Sequence, residues 1–424
     1  MNPQTLHTDI LIIGAGPAGA TASLFLAKMG IGHVIVDAAV FPRDKVCGDG
    51  LDLKVMRVLN HLDPAIVSQE ILTNPDFIPS WGTRFFMQNG RAVDFIHMPE
   101  PDSPHPYPLF CCAKRLHFDD FLVKKIDSRF ADFRQGTKVE KVERDGTGWR
   151  VSASSGAPLR KGPNVASSQN GVGLDIRAKL IIGADGDHSV LLRALGARRI
   201  DRQHYAGTLR QYWRGVEDIH PQNLIEVYFP KGLPMSYFYI FPLPHGEANV
   251  GYGMVSTVAA EGKHNLRHIF QRLLTEDPVM GPRFKNAEPL EEPIGWGLPL
   301  ASRRRRAFGE GYLLVGDAAS LVCPTSGEGI GTGMMSGYVA AQFVQQALKN
   351  KDFSAEQFKH YDREVYRRLN DEIRLYNGMM RLSPRVYDFG LNLLAPSPVF
   401  QWMFQRGANQ WLKTAYEREI EVEL

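Results

Sequence analysis

The chain has little of what would point to several common kinds of protein. Only four of its 424 residues are cysteine, Cys47, Cys111, Cys112 and Cys323. They show no C-x-x-C spacing and no accompanying histidines at ligand spacing. No bound metal is expected, and reduced thiols in a cytoplasmic protein are the simplest account. Neither sign of charge dominates: 49 Lys and Arg face 46 Asp and Glu, which leaves nucleic acid no electrostatic footprint to recognise. No uncharged run reaches the roughly 18 residues needed to span a bilayer, so any membrane contact is expected to be peripheral, at the inner face. The first apolar run, DILII, follows no basic segment and ends in glycines, so it reads as a strand and not as a secretory leader.

What is present suits an enzyme of two or three domains, or one large interleaved α/β unit. Asp9–Ile13 is apolar at nearly every position, as in a strand covered on both faces. GAGPAG follows, then a helix, ATASLFLAKMG, stopped by Gly30, and then HVIVD, a strand ending at Asp37. That is a strand–helix–strand unit. AKRLHFDDFLVKKI reads as a second helix, TKVEKVE and WRVSAS as strands, and the polar stretch 154–171 as a long hairpin loop before the buried strand AKLIIGADG. Residues 205–256 alternate as an antiparallel sheet. GYLLVGDAAS is again a buried strand, followed by a helix of small residues. Ser354 and Gln357 have the spacing of a capping box for one long helix, whose stripe would be Phe358, Tyr361, Val365, Leu369 and Ile373. The expected fold is therefore α/β. A Rossmann-like domain (1–55, 107–200, 285–350) is interleaved with an antiparallel-sheet substrate domain (56–106, 201–284) and followed by a C-terminal helical region (351–424).

Gly14-x-Gly16-x-x-Gly19 lies between a strand and a helix, where each glycine has a task. The first makes the tight turn, the second admits a pyrophosphate, and the third lets helix and strand pack. The phosphates would lie on the helix N-terminus, where amide groups lack partners. Asp37 follows at the distance where an acid accepts a ribose hydroxyl. The pattern predicts a bound dinucleotide.

Two later segments, GADGDHS (183–189) and GYLLVGDAASLVCPTSGEGIGTG (311–333), resemble the flavin-contacting segments of glutathione-reductase-like, hydroxylase-type FAD enzymes. Arg115 in A-x-R-x-x-F-D extends the match. The resemblance implies FAD as cofactor, with Arg115 on the pyrophosphate side, Asp317 on the ribityl chain, and the Gly329–Ile330 backbone facing the ring. It also implies contacts at Pro17, Ala18, Arg43, Cys47, Gly48, Val139, Asp185, Gly186, Gly316 and Gly327. A helix beginning near Gly327–Gly331 would favour negative charge on the reduced ring. The chain departs from D-G-x-x-S-x-V-R, with Leu192 at the Arg position and Arg193 after it, and Arg193 is given no role.

Within that superfamily FPRDKVCGDGL (41–51) resembles the corresponding loop of the geranylgeranyl reductase family. Pro234-x-x-Tyr237-x-Tyr239-x-Phe241-Pro242 resembles its P-x-x-Y-x-W-x-F-P with Tyr for Trp, and Pro324–Ile330 its P-x-x-G-E-G-I. The likeness reaches to about residue 380. It implies a reductase of carbon–carbon double bonds in an isoprenoid or similar lipid chain. Tyr237, Tyr239 and Phe241 share one strand face, which suits either an ordinary sheet core or an aromatic wall beside an apolar substrate. Arg43 and Lys45 would favour thiolate at Cys47, and the expected catalytic set is Cys47, Tyr237 and Tyr239. Cys111 and Cys112 are expected in the core, Cys323 as filler beside Pro324, and Arg303–Arg306 on a solvated edge. The tail around Trp402, Phe404 and Trp411 would cap the core or meet a membrane. With no second strand–GxGxxG–helix, electrons would come from a transiently docked NAD(P)H or a ferredoxin-like protein. The competing readings are an FAD monooxygenase, less well a halogenase because W-x-W-x-I-P is missing, and a non-catalytic flavin- and lipid-binding protein.

Overall fold

Ile10 to Ile13 are buried on both faces of the strand Gln4–Ile13. At about 1.5–3 kcal/mol for each large aliphatic side chain removed from water, this run anchors the first sheet. In the computed structural model, residues 4–88, 90–97, 107–156, 172–197 and 200–382 are described, with the single positions 386 and 422. Gln4–Ile13 pairs in parallel with Val172–Gly183 on one side and His33–Val36 on the other. Tyr312–Leu314 and Ala131–Arg134 extend the sheet outward, also in parallel. The strands Thr137–Asp145 and Gly148–Ser155 form an antiparallel hairpin attached to Val172–Gly183. The helices Pro17–Lys28 and Ile330–Asn350 belong to the same core.

The second sheet runs Glu288–Pro289, Tyr205–Arg214, Glu247–Val255, Ser236–Leu243, Ile225–Tyr228, Gly82–Phe86, Ala92–Ile96, with Ile294–Pro299 also paired to Tyr205–Arg214. Its pairings are antiparallel except that between Ile225–Tyr228 and Gly82–Phe86. The helix Leu266–Thr275 packs Ile269, Phe270, Leu273 and Leu274 into its outer core. A small sheet of Gly50–Asp52, Phe110–Cys112 and Ile78–Ser80 stands between the two.

The structure redraws the seam between the halves. Val58 to Phe77 pack into the first core, so the chain joins the antiparallel sheet at Gly82 and not at residue 56. It leaves that sheet only after Pro299, because Ile294–Pro299 still pairs with it. The helix Leu53–Leu62 was not anticipated, although Asp52 caps it by accepting from the Val55 amide (3.2 Å) and its apolar residues keep helical spacing.

The single long helix expected after Ser354 is two short ones, Tyr361–Arg367 and Asn370–Met379, preceded by turns. Ser354 Oγ does accept from the Gln357 amide (3.3 Å), but the Gln357 side chain binds Asn350 and the Ser354 amide turns to Asp352. The reciprocal half of the box is not made. The stripe from Phe358 to Leu369 is nonetheless buried. Most of the 154–171 loop and the tail bearing Trp402, Phe404 and Trp411 lie outside the described residues. Among those described, no helix is long and apolar enough to cross a membrane.

Candidate active site

The first turn is built as its spacing requires. Gly14 sits at φ 101°, and a Cβ there would lie 2.5 Å from the Ala184 carbonyl oxygen. The helix that follows has Gly16 as N-cap, no side-chain cap and no acid in its first turn, so its positive end stays open. Pro17 occupies the first helical position, and Ala18 backs onto Gly316, Gly333 and Gly337 of the flavin-loop helix side. Space at Gly16 is bounded only by Arg43 Nη2, 3.8 Å from a Cβ there. Asp37 accepts from the Ala15 amide with one oxygen and the Ala39 amide with the other, both at 2.7 Å. Burial raises its pKa, against the pull of those two amides. Opposite the turn, Asp185 accepts from Val190 (2.7 Å) with one oxygen while the other is buried without a hydrogen bond, and Gly186 faces open space. Val139 is buried in the first core, so only its backbone is available to a ligand.

A cation-rich cluster comes next. Arg115 clasps Asp119 through two bonds (2.6 and 2.7 Å), and Arg43 binds the same carboxylate at 2.6 Å. Burial works against charge on Arg115, but Asp119 outweighs it, with the nearby Cys47 acting in the same direction, and its pKa is raised. Lys45 lies 4.7 Å over the Trp296 ring. Burial lowers its pKa, partly offset by Asp317. The thiol's cationic neighbours are thus Arg115 and Lys45, whereas Arg43 turns to the dinucleotide turn. Three cations share two acids, so the cluster fits a pyrophosphate, and the open helix end and unpartnered Asp185 oxygen fit the rest of FAD.

The strand Ser236–Leu243 connects this loop with the one at Pro324–Ile330. Its Phe238 and Ile240 are buried in the outer core, while Tyr237, Tyr239 and Phe241 face the site. Tyr237 donates to the Ser326 carbonyl (2.5 Å) and closes over Gly327. Burial raises its pKa and that of Tyr239, keeping both phenols protonated. A Cβ at Gly48 would lie 3.3 Å from the Phe241 ring and 3.6 Å from the Tyr239 hydroxyl. Across the strand pair, Tyr239 lies over Gly251, where any Cβ would overlap its hydroxyl. The alternation in G-Y-G (251–253) carried this signal and was not used.

Sequence reasoning also missed Glu328. The helix Ile330–Asn350 begins beside Asp317, whose Oδ1 would be 3.6 Å from a Cβ at Gly329, and its first buried turn includes Ile330. Glu328 already takes its Gly331 amide at 2.5 Å and, more weakly, that of Thr332 at 3.4 Å. Its other oxygen is 3.8 Å from Lys54, which also meets Asp52 (3.4 Å) and Glu372 (3.9 Å). Burial first, then the charge on Asp52, raises the Glu328 pKa. Cys111 and Cys112 are fully buried, their thiol pKa values raised by desolvation. Cys323 is buried too and contacts Thr325 Oγ1 at 3.3 Å. Of the arginine run, Arg303, Arg304 and Arg306 are exposed, while Arg305 turns inward and its amide donates to Tyr366 (2.8 Å). Leu192 is buried and Arg193 exposed, consistent with the exchange of those positions. Among the described residues, no group of three His, Cys, Asp or Glu is placed to hold a metal.

Such a turn, cation cluster and second loop define a dinucleotide-dependent flavoprotein. Residues 7–369 match the family described as FAD binding domain. A menaquinone reductase from Mycolicibacterium smegmatis is 32% identical over 80% of this chain and 76% of its own length. Digeranylgeranylglycerophospholipid reductase 1 of Methanothermobacter thermautotrophicus is 28% identical over 87% and 85%. The chain belongs to the geranylgeranyl reductase family of FAD-dependent oxidoreductases. Among solved structures, a geranylgeranyl bacteriochlorophyll reductase-like protein from Thermoplasma acidophilum superposes with a TM-score of 0.75 at 20% identity, covering 98% of this chain and all of that one. A flavin-dependent brominase gives 0.73 at 17% identity over 98% and 95%. Both show the fold alone.

Proposed function

We propose that this protein reduces carbon–carbon double bonds in the isoprenoid chain of a quinone or polar lipid. The observation that carries the reading is the contact of one aromatic strand with both loops: Tyr237 with 326–327, Tyr239 with Gly48, and Phe241 with Gly48 and Gly50. An apolar wall against the thiol loop supports a site where a hydrocarbon chain would lie and water would be excluded. The two relatives, named for menaquinone and for a digeranylgeranyl phospholipid, share polyprenyl chains as a chemical denominator.

When bound, reduced FAD supplies the hydride. The chain's own residues hold and complete the reaction. Gly14, Gly16, Pro17, Ala18 and Gly19 would seat the pyrophosphate with Arg43 and Arg115, and Asp37 would accept from the ribose. Asp185, Gly186, Gly316, Asp317, Gly327, Gly329, Ile330 and the Val139 backbone would hold the remainder. Cys47 Sγ donates the proton to the second carbon, so that one hydride and one proton saturate one double bond. The thiolate left behind faces Arg115 and Lys45 and recovers its proton from solvent once the saturated chain has left. Tyr237 and Tyr239 hold the chain against the thiol loop. Electrons arrive from NAD(P)H docking transiently or from a ferredoxin-like protein, and substrate arrives from a membrane face.

The test is anaerobic turnover with menaquinone and with geranylgeranylated phospholipid, each supplied with NADPH or reduced ferredoxin, read by mass spectrometry as a gain of two mass units per bond. Cys47→Ala is expected to bind FAD normally and to lose ~100-fold or more in turnover. Full turnover by this variant removes the thiol from the mechanism. A strict need for oxygen, with oxygen consumed, would replace the reductase by a monooxygenase, and bound flavin that no alkene reoxidises would leave a binding protein.

A further inference from the structure

The thiol loop ends in an acid that the reaction does not use. Asp49 is fully buried and holds φ 63°, a left-handed conformation that aspartate tolerates better than most residues. Its Oδ2 accepts from the Tyr212 hydroxyl (2.7 Å) and from Asn249 Nδ2 (2.8 Å). The same Asn249 amide donates to the Cys47 carbonyl, also at 2.8 Å. Tyr212 and Asn249 are cross-strand partners in the substrate sheet. At the other end of the loop, Arg210 crosses the Tyr212 ring at 3.9 Å and reaches Asp44 (3.1 Å), with Glu291 on its far side. The loop is therefore held at residues 44, 47 and 49 by two strands of the sheet that carries the aromatic wall.

Stability alone explains this arrangement poorly. A carboxylate and an amide oxygen are both left short: Asp49 Oδ1 and Asn249 Oδ1 are buried without a hydrogen bond. Each such group costs free energy that an apolar side chain would not. What the cost secures is register between the thiol and the wall.

We propose that Asp49 is the positioning residue for Cys47, fixing the thiol loop to the substrate sheet through Tyr212 and Asn249. The inference rests on the role assigned above to Cys47, and its test does not depend on turnover. Three of the four cysteines are buried, so iodoacetamide labelling of the flavin-loaded protein, mapped by mass spectrometry, reports on Cys47. Asp49→Gly keeps the left-handed backbone and removes the carboxylate. It is expected to raise the labelling rate ~10-fold, the loss of about one or two hydrogen bonds, and to lower kcat with KM nearly unchanged. Asp49→Asn retains an acceptor and should stay within about 2-fold of the parent in both readings. Labelling of Asp49→Gly within about 2-fold of the parent, whatever its melting temperature, overturns the proposal. Should that variant fail to fold, Tyr212→Phe, which deletes one hydroxyl, carries the test with an expected rise of ~3-fold, and no rise overturns it. Full turnover by Cys47→Ala would defeat the role of the thiol, while an altered labelling rate in Asp49→Gly would still show the loop to be held.

Discussion

Two buried charge clusters flank the candidate site, and their make-up is opposite. On the thiol side Arg43, Lys45 and Arg115 share Asp119 and Asp317. On the helix side Lys54 has three carboxylates within 4 Å, those of Asp52, Glu328 and Glu372. A surplus of cations in a low-dielectric setting is costly until an anion arrives, so the first cluster is built to receive one. The second has no need of a ligand, because its surplus acid can hold a proton. Glu328 is that acid, its pKa raised by burial and by Asp52 from 4.5 to about 8. One cluster is completed by binding and the other by protonation.

The sharpest way to break the comparison is to close the turn that brings the anion. Gly14→Val forces a β-branched residue into φ 101° against the Ala184 carbonyl. FAD affinity, followed by flavin fluorescence, should fall at least ~100-fold. Next, Arg115→Met leaves Asp119 to Arg43 alone. A loss of about 3 kcal/mol in urea unfolding is expected, together with weaker FAD binding. If stability is unchanged, Arg43 alone satisfies Asp119 and Arg115 is held for the anion.

A smaller effect should separate the second cluster. The folded state holds a proton on Glu328 that the unfolded chain releases above its ordinary carboxylate pKa. Stability should therefore decline as pH rises from 4.5 to about 8. In Glu328→Gln that decline should flatten, read as the urea midpoint at several pH values across this window. A slope identical to the parent would place the proton elsewhere. The smallest change is expected at the exposed pair Arg303–Asp201 (3.0 Å), where Arg303→Ala should shift stability by less than about 0.5 kcal/mol.

What could be read from the chain was local. The turn 14–19 and Asp37 are a short-range motif whose meaning comes from the strand before it and the helix after it, and both are where the pattern put them. The inward and outward residues of YFYIF follow from period-two alternation alone. By contrast, the partners of Asp49 lie 163 and 200 residues away, at Tyr212 and Asn249. Lys54 likewise meets Glu328 and Glu372 only through tertiary packing. No spacing rule encodes such meetings. The Leu53–Leu62 helix was legible and passed over amid scattered prolines. The broken helix after Ser354 was not: its apolar stripe runs unbroken through the turns and into both short helices. Likewise Glu328 offered a sequence signal, an acid just before a helix, but nothing in it announced that the residue would be buried.

The strand Ser236–Leu243 has a consequence for how a greasy guest gets in. Fastened to one loop by Tyr237 and laid against the other by Phe241, it acts as a stitch across the join, and prising the halves apart like jaws would tear both contacts at once. Entry is therefore expected lengthwise, as a thread drawn along a seam, with successive double bonds presented in turn at a fixed point.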